Sequence, residues 1–227
     1  MTTPNASSGA AFRARVRAGI EGPVAGVFMR TGLSPNALTL IGFGIAVVGA
    51  WLASQQSWLI AGIVVAFGAA FDLFDGALAR ATGKTSRLGA FMDSVFDRAG
   101  EAVVYVGLVV GLLTVGLAGG AEITAAAMAA AFMVSYTRAK SESLGFSSGT
   151  GMANVGLAPR EVRSVILSLA LVVAGLLVEP VGAVAPTWWY VLVGSLAVIA
   201  ILATITTIQR ILFVYRQSKS PNQEVTK

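Results

Sequence analysis

Apolar side chains come in long runs along this chain, at residues 34–53, 58–78, 101–120, 123–137, 164–178 and 187–208. Several hold only about 15 clean apolar residues, so each takes in its polar flank to reach the roughly 20 residues that cross a hydrocarbon core. Of the 227 residues 56% are hydrophobic and 12% charged, with 26 glycines besides, and the mean hydropathy is +0.77. A water-soluble domain of this length has no interior large enough for that much apolar surface. Cysteine and histidine are both absent, which removes disulfide, thiol and zinc-finger chemistry and any imidazole base. The expected fold is an all-α integral membrane protein with six transmembrane helices.

Charge placement gives the orientation. The isoelectric point near 10.0 points superficially to nucleic acid, but the 16 Lys and Arg are not spread as a nucleic-acid face requires. With six spans the connections alternate between two sides, and every cation, from Arg13 to Lys227, falls on one of them or in the adjoining helix ends. The opposite loops, around Gln55, Ala121 and Pro180, carry none. The positive-inside rule then expects both termini in the cytoplasm. No secretory signal peptide is expected before the first span, because the leading thirty residues are polar and arginine-rich. Within them Phe12, Val16, Ile20, Val24 and Phe28 recur every four residues with Arg13, Arg15 and Arg17 between. That spacing suits a juxtamembrane amphipathic helix on anionic lipid, and equally a solvated lead-in that helps set topology. Residues 147–156, rich in Gly and Ser, read as a flexible cytoplasmic loop.

Five of the 11 acids, Asp72, Asp75, Asp93, Asp97 and Glu101, lie within thirty residues at membrane depth or its cytoplasmic edge. One charge at the bilayer centre costs about 2.5–3.5 kcal/mol even on lenient scales, so the cluster calls for a function. Asp72 and Asp75 are three apart, and Asp93, Asp97 and Glu101 four apart, so each set lines one helix face. Two antiparallel helices joined through the polar turn between Gly83 and Gly89 bring those faces together. Carboxylates so gathered need a cation, and oxygen ligands without Cys or His suit Mg²⁺ or Mn²⁺ and a phosphate-bearing substrate. Three readings stay open on spacing alone: a two-metal phosphoryl-transfer enzyme, an ion-coupled transporter, and structural pairs with Arg80, Arg87 and Arg98.

Asp72-Leu-Phe-Asp75-Gly76-Ala-Leu-Ala79-Arg80, then eight residues, Gly89, three residues, Asp93, three residues and Asp97, resembles the signature of the CDP-alcohol phosphotransferases. The resemblance extends over residues 32–216. It implies a cytoplasmic N-terminal segment at 1–31, a six-helix CDP-alcohol phosphotransferase domain at 32–216 and a cytoplasmic tail at 217–227. It further implies transfer of a phosphatidyl group from a CDP-linked lipid to an alcohol, with release of CMP. Asp72, Asp75, Asp93 and Asp97 would hold two divalent ions, Mg²⁺ or Mn²⁺, and Asp97 would also be the catalytic base. Gly76, Ala79, Arg80 and Ser86 would meet the cytidine and its phosphates. Ser34, Pro35, Asn36 and Thr39 at the start of the first span would touch the CDP-lipid. The family implies a homodimer in a bacterial plasma membrane, with no nucleic-acid partner.

Within the family the chain most resembles the actinobacterial phosphatidylinositol phosphate synthases, through Asp93-Ser-Val-Phe-Asp97-Arg98, Ser135-Tyr136-Thr137-Arg138-Ala139-Lys140, Pro159-Arg160-Glu161-Val162-Arg163 and Ile208-Gln209-Arg210. That resemblance implies CDP-diacylglycerol as donor, inositol 1-phosphate as acceptor, and an acceptor-phosphate pocket of Arg138, Arg163 and Arg210. The family pattern has a lysine first and an arginine two places later, whereas here Arg138 precedes Lys140. The alternatives are a phosphatidylglycerophosphate synthase using glycerol 3-phosphate, a synthase for an unphosphorylated alcohol, and the transporter. Glu101 is expected either to continue the acidic face or to neutralise Arg98.

Overall fold

The structure is a computed structural model and describes residues 33–81, 86–146, 152, 155–178 and 186–219, without the side chains of residue 35 and residues 72–81. The expected amphipathic helix at 11–28 and most of the 147–156 loop lie outside these residues. Six helices follow one another: α1 Pro35–Ser54, α2 Trp58–Ala81, α3 Arg87–Val115, α4 Gly120–Ser143, α5 Arg160–Leu176 and α6 Thr187–Ser218. No strand occurs among the described residues. The all-helical class agrees with the sequence reading, and the six described helices fall on its six apolar runs.

Membrane crossing is less uniform than six equal spans. Among the described residues, α3, α6 and α1 from Asn36 onward are long and apolar enough to cross a bilayer. The described apolar part of α2 is the shorter stretch Trp58–Phe71. Helix α5 has 17 residues, about 26 Å at 1.5 Å per residue against a core of about 30 Å. Helix α4 has the length but is built on alanine, with Arg138, Lys140 and Glu142 in its last turns.

Helix starts are set by local chemistry. Ser34, with Pro35 after it, caps α1 by accepting the N–H of Ala37 at 3.2 Å. Ser86 caps α3 by accepting the N–H of Gly89 at 2.9 Å. Helix α3 ends at Gly116, whose φ of 75° is left-handed.

Packing joins α1 to both α2 and α3, α2 to α5, α3 to α4, α4 to α6 and α5 to α6. The α1–α3 contact is the tightest point that bears on the site. A Cβ on Gly107 would stand 2.1 Å from the carbonyl oxygen of Ala50, and one on Gly111 would stand 2.3 Å from that of Ala53. Gly107 and Gly111 thus form a small-xxx-small seam that lets two backbones touch. Around it Tyr105, Leu108, Leu112, Leu171, Leu192, Leu196 and Ile199 are fully or almost fully buried. At the end away from the acids, Trp58 stacks on Trp188 with ring centroids 5.7 Å apart, tying the start of α2 to the start of α6.

Candidate active site

The acid-bearing face of α3 runs into a cleft of about 640 Å³, counting its open mouth, that lies among α1, α2, α3 and α5. Thr39 and Phe43 of α1, Asp97 and Glu101 of α3, and Arg160 and Arg163 of α5 line it. Two helix starts meet at the outer end of this face, and the start of α5 meets it further in, at Asp97. Asn36 Oδ1 stands 3.3 Å from where a Cβ on Gly89 would be, and Ser86 Oγ 3.1 Å from it, so the starts of α1 and α3 are in contact. Helix N-termini present N–H groups and positive dipole ends, an environment suited to a substrate diphosphate. Ser34 and Ser86 therefore have a capping duty here, and each hydroxyl keeps its own proton to donate.

Asp97 is the hub of the ion pairs. Its Oδ1 accepts Arg160 Nη1 at 2.7 Å and its Oδ2 accepts Arg98 Nη1 at 3.2 Å. Arg98 also donates to the carbonyl of Ser94. Asp93, one turn earlier on the same face, is half-buried. One turn deeper, Glu101 pairs with Arg163, not Arg98: Arg163 Nε and Nη2 donate to its two carboxylate oxygens at 2.9 and 2.8 Å. Arg163 is 1% exposed, and its Nη1 donates to the carbonyl of Ala158 at 2.8 Å. Glu101 therefore does continue the acidic face, but its charge is matched across the cleft. Beyond it the buried Tyr105 Oη has no hydrogen-bond partner among the described residues.

The metal expectation rests on four aspartates. Asp72, Asp75, Gly76, Ala79 and Arg80 lie on the last turns of α2, and their side chains lie outside the described part. Among the described residues no cluster of three or more acidic side chains is complete. Asp93 and Asp97 supply hard oxygen donors at helical spacing, with no sulfur or imidazole in the chain to favour a softer ion. The donor chemistry fits Mg²⁺ or Mn²⁺.

The expected acceptor arginines occupy one neighbourhood by different means. Arg210 is 3% exposed and donates to the carbonyls of Val155, at 3.0 Å, and Val134. It lies close enough to feel the charges of Arg138, Arg163, Glu142 and Glu161. Arg138, at the end of α4, is half-exposed and pairs with Glu142 at 2.9 Å. Arg163 and Arg210 thus grip the carbonyls of one turn, at Ala158 and Val155, while Arg138 stays half-exposed. The end of the Gly/Ser-rich loop is consequently held, not free.

Arg160 is not among the expected site residues, yet it and Arg98 both pair with Asp97. The signal was present: Asp97 and Glu101 are spaced four apart on α3, and Arg160 and Arg163 three apart at the start of α5. Each acid thereby meets one cation of α5.

A CDP-alcohol phosphatidyltransferase family model matches residues 32–154. The chain is 34% identical over 207 residues to a phosphatidylinositol phosphate synthase of Streptomyces avermitilis, covering 86% of this chain and 78% of that one. It is 38% identical over 139 residues to an archaetidylinositol phosphate synthase of Pyrococcus horikoshii, covering 61% of this chain and 69% of that one. The crystal structure of a Mycobacterium tuberculosis phosphatidylinositol phosphate synthase with CDP-DAG bound is similar at a TM-score of 0.75 and 26% identity, over 92% of this chain and 98% of that one. A structure of the same mycobacterial enzyme with manganese and citrate is similar at a TM-score of 0.73. With its signature acids and matching fold, the chain belongs to the CDP-alcohol phosphatidyltransferase family.

Proposed function

We propose that this protein transfers the phosphatidyl group of CDP-diacylglycerol to inositol 1-phosphate, forming phosphatidylinositol phosphate and CMP. The observation that carries the reading is the cleft in which Asp97 of α3 meets Arg160 at the start of α5. It joins a carboxylate, a guanidinium and one helix N-terminus in one place. The resemblance to synthases of the same class over most of the chain supports the choice of acceptor.

Asp72, Asp75, Asp93 and Asp97 would hold two Mg²⁺ or Mn²⁺ ions, which when bound neutralise the diphosphate and the charge that builds on it in transfer. Ser34, Pro35, Asn36, Thr39, Gly76, Ala79, Arg80 and Ser86 bind the CDP-lipid. Asp97 accepts the proton of the acceptor hydroxyl as its oxygen forms a bond to the lipid-side phosphorus. The bond from that phosphorus to the bridging oxygen breaks, and CMP leaves with the electron pair. Arg160 and Arg98 fix the carboxylate for this step. The acceptor phosphate enters the basic pocket, where Arg138 is the accessible contact and the buried Arg163 and Arg210 form the floor.

We place the protein in a bacterial plasma membrane as a six-span homodimer, with both termini and the site on the cytoplasmic side. The one-sided distribution of its Lys and Arg supports that orientation. The domain runs over residues 32–216, after an N-terminal segment at 1–31 and before a tail at 217–227.

The test is CMP release by purified protein with CDP-diacylglycerol and Mg²⁺, comparing inositol 1-phosphate, inositol and glycerol 3-phosphate. Release with inositol 1-phosphate alone is expected. Release with glycerol 3-phosphate instead would keep the family and overturn the acceptor.

A further inference from the structure

Thr206, a fully buried hydroxyl on α6, lies outside the signature and outside every binding role above. Its Oγ1 accepts the backbone N–H groups of Leu157, at 3.0 Å, and Ala158, at 2.9 Å, and donates to the carbonyl of Leu202 at 2.8 Å. One donor and two acceptor sites are all that a hydroxyl offers, so this one is saturated. Gly156, with φ of 119°, lies directly against it: a Cβ there would stand 2.2 Å from Thr206 Cγ2. Only glycine accommodates both that backbone conformation and that contact.

The same turn is held at two further points. Arg210 of α6 donates to the carbonyl of Val155, and Arg163 donates to that of Ala158 while its other edge is fixed by Glu101 of α3. From Val155 to Ala158 the backbone is therefore pinned to α6 on one side and to α3 on the other. Two residues after this frame comes Arg160, whose guanidinium meets Asp97 at 2.7 Å. A long side chain reaches a carboxylate in one geometry only if the backbone carrying it is fixed.

We propose that Thr206 and Glu101 are positioning residues, which set the turn before α5 so that Arg160 meets Asp97. This rests on the catalytic reading of Asp97 given above. Thr206→Val keeps the side-chain shape, removes the oxygen and leaves the buried N–H of Ala158 and the partly buried N–H of Leu157 without that acceptor.

Two measurements on the intact purified protein test it. The first needs no activity: amide hydrogen exchange over residues 155–160 should rise about tenfold or more in Thr206→Val and stay near wild type in Thr206→Ser, which keeps the oxygen. Unchanged exchange in Thr206→Val overturns the proposal. The second is a double-mutant cycle on CMP release. Thr206→Val should lower kcat about tenfold, with KM for CDP-diacylglycerol within about twofold of wild type, and Thr206→Ser should restore it. In an Arg160→Gln background Thr206→Val should add less than about a twofold loss, because its effect passes through Arg160. An equal loss in both backgrounds overturns the proposal. The cycle of Glu101→Gln with Arg160→Gln tests the second anchor, and stands alone should Thr206→Val not fold. A wild-type protein that releases no CMP with any acceptor would count against the proposed function, whereas the exchange result would still decide the positioning role.

Discussion

The two halves of α3 follow opposite rules along one continuous face. In the first half the face carries Asp93, Asp97 and Glu101, and the cations of α5 pair with Asp97 and Glu101. In the second half the stripe passes through Tyr105, Leu108 and Leu112, with Gly107 and Gly111 bringing the backbone of α1 into contact. The polar half could not be held by hydrophobic burial, and the apolar half offers no chemistry. The glycine seam fixes the helix against α1, and that rigid end sets where the carboxylates stand. Sites carried on rigid elements keep their geometry better than sites on loops.

The difference can be broken at either half. The largest effect on folding is expected from Arg163→Ala, which strands Glu101 as a buried, unpaired charge at about 3–5 kcal/mol. Replacing both residues by leucine should recover more than half of that loss in denaturant unfolding in micelles. A single variant as stable as wild type would show that the pair contributes nothing to the fold. Next comes Gly107→Ala in the apolar half, at about 3 kcal/mol, the upper end for a forced contact, because the added methyl meets a backbone oxygen and not a side chain. A thermal midpoint equal to wild type would mean that α1 and α3 are not in such close contact.

Ser86→Ala tests the capped start of the polar half, with an expected loss of about 1 kcal/mol and weaker CDP-lipid binding by titration. Ser86→Gly should cost only a few tenths of a kcal/mol, which separates the cap from the ligand contact: binding should remain weak in both variants. The smallest structural effect is expected from Arg138→Ala. Its pair with Glu142 is half-exposed, so stability should change by less than about 0.5 kcal/mol, while KM for inositol 1-phosphate rises about tenfold. An unchanged KM would remove Arg138 from the acceptor pocket.

Much of this was legible in the sequence, and the reasons differ by element. Apolar runs located all six helices, because a helix in lipid must be apolar over most of its length. The stretch from Leu88 to Gly120 reads as one long helix, and α3 runs from Arg87 to Val115; the last run falls short, since α6 continues through polar residues to Ser218, past the apolar zone. The acids were legible through their three- and four-residue spacing. Their partners were not, because Asp97 meets Arg160 and Glu101 meets Arg163 across more than sixty residues, and spacing along one helix says nothing about which helix lies opposite. Reading the two ladders against each other would have joined them. Arg163 and Arg210 draw attention as cations, yet both are turned inward, Arg163 on Glu101 and the carbonyl of Ala158 and Arg210 on the carbonyls of Val155 and Val134, contacts that their own sequence context does not reveal. Gly107-xxx-Gly111 was hidden inside an apolar run, where small residues and large ones score alike.

In the proposed reaction the carboxylate of Asp97, fixed by Arg160, takes the acceptor proton. The most direct test of that step is Asp97→Asn, measured both for CMP release and for CDP-diacylglycerol binding by isothermal titration in nanodiscs with Mg²⁺ present. A fall in kcat of about 10²–10⁴ is expected, with CDP-lipid binding still measurable. Turnover near wild type in Asp97→Asn would contradict that step.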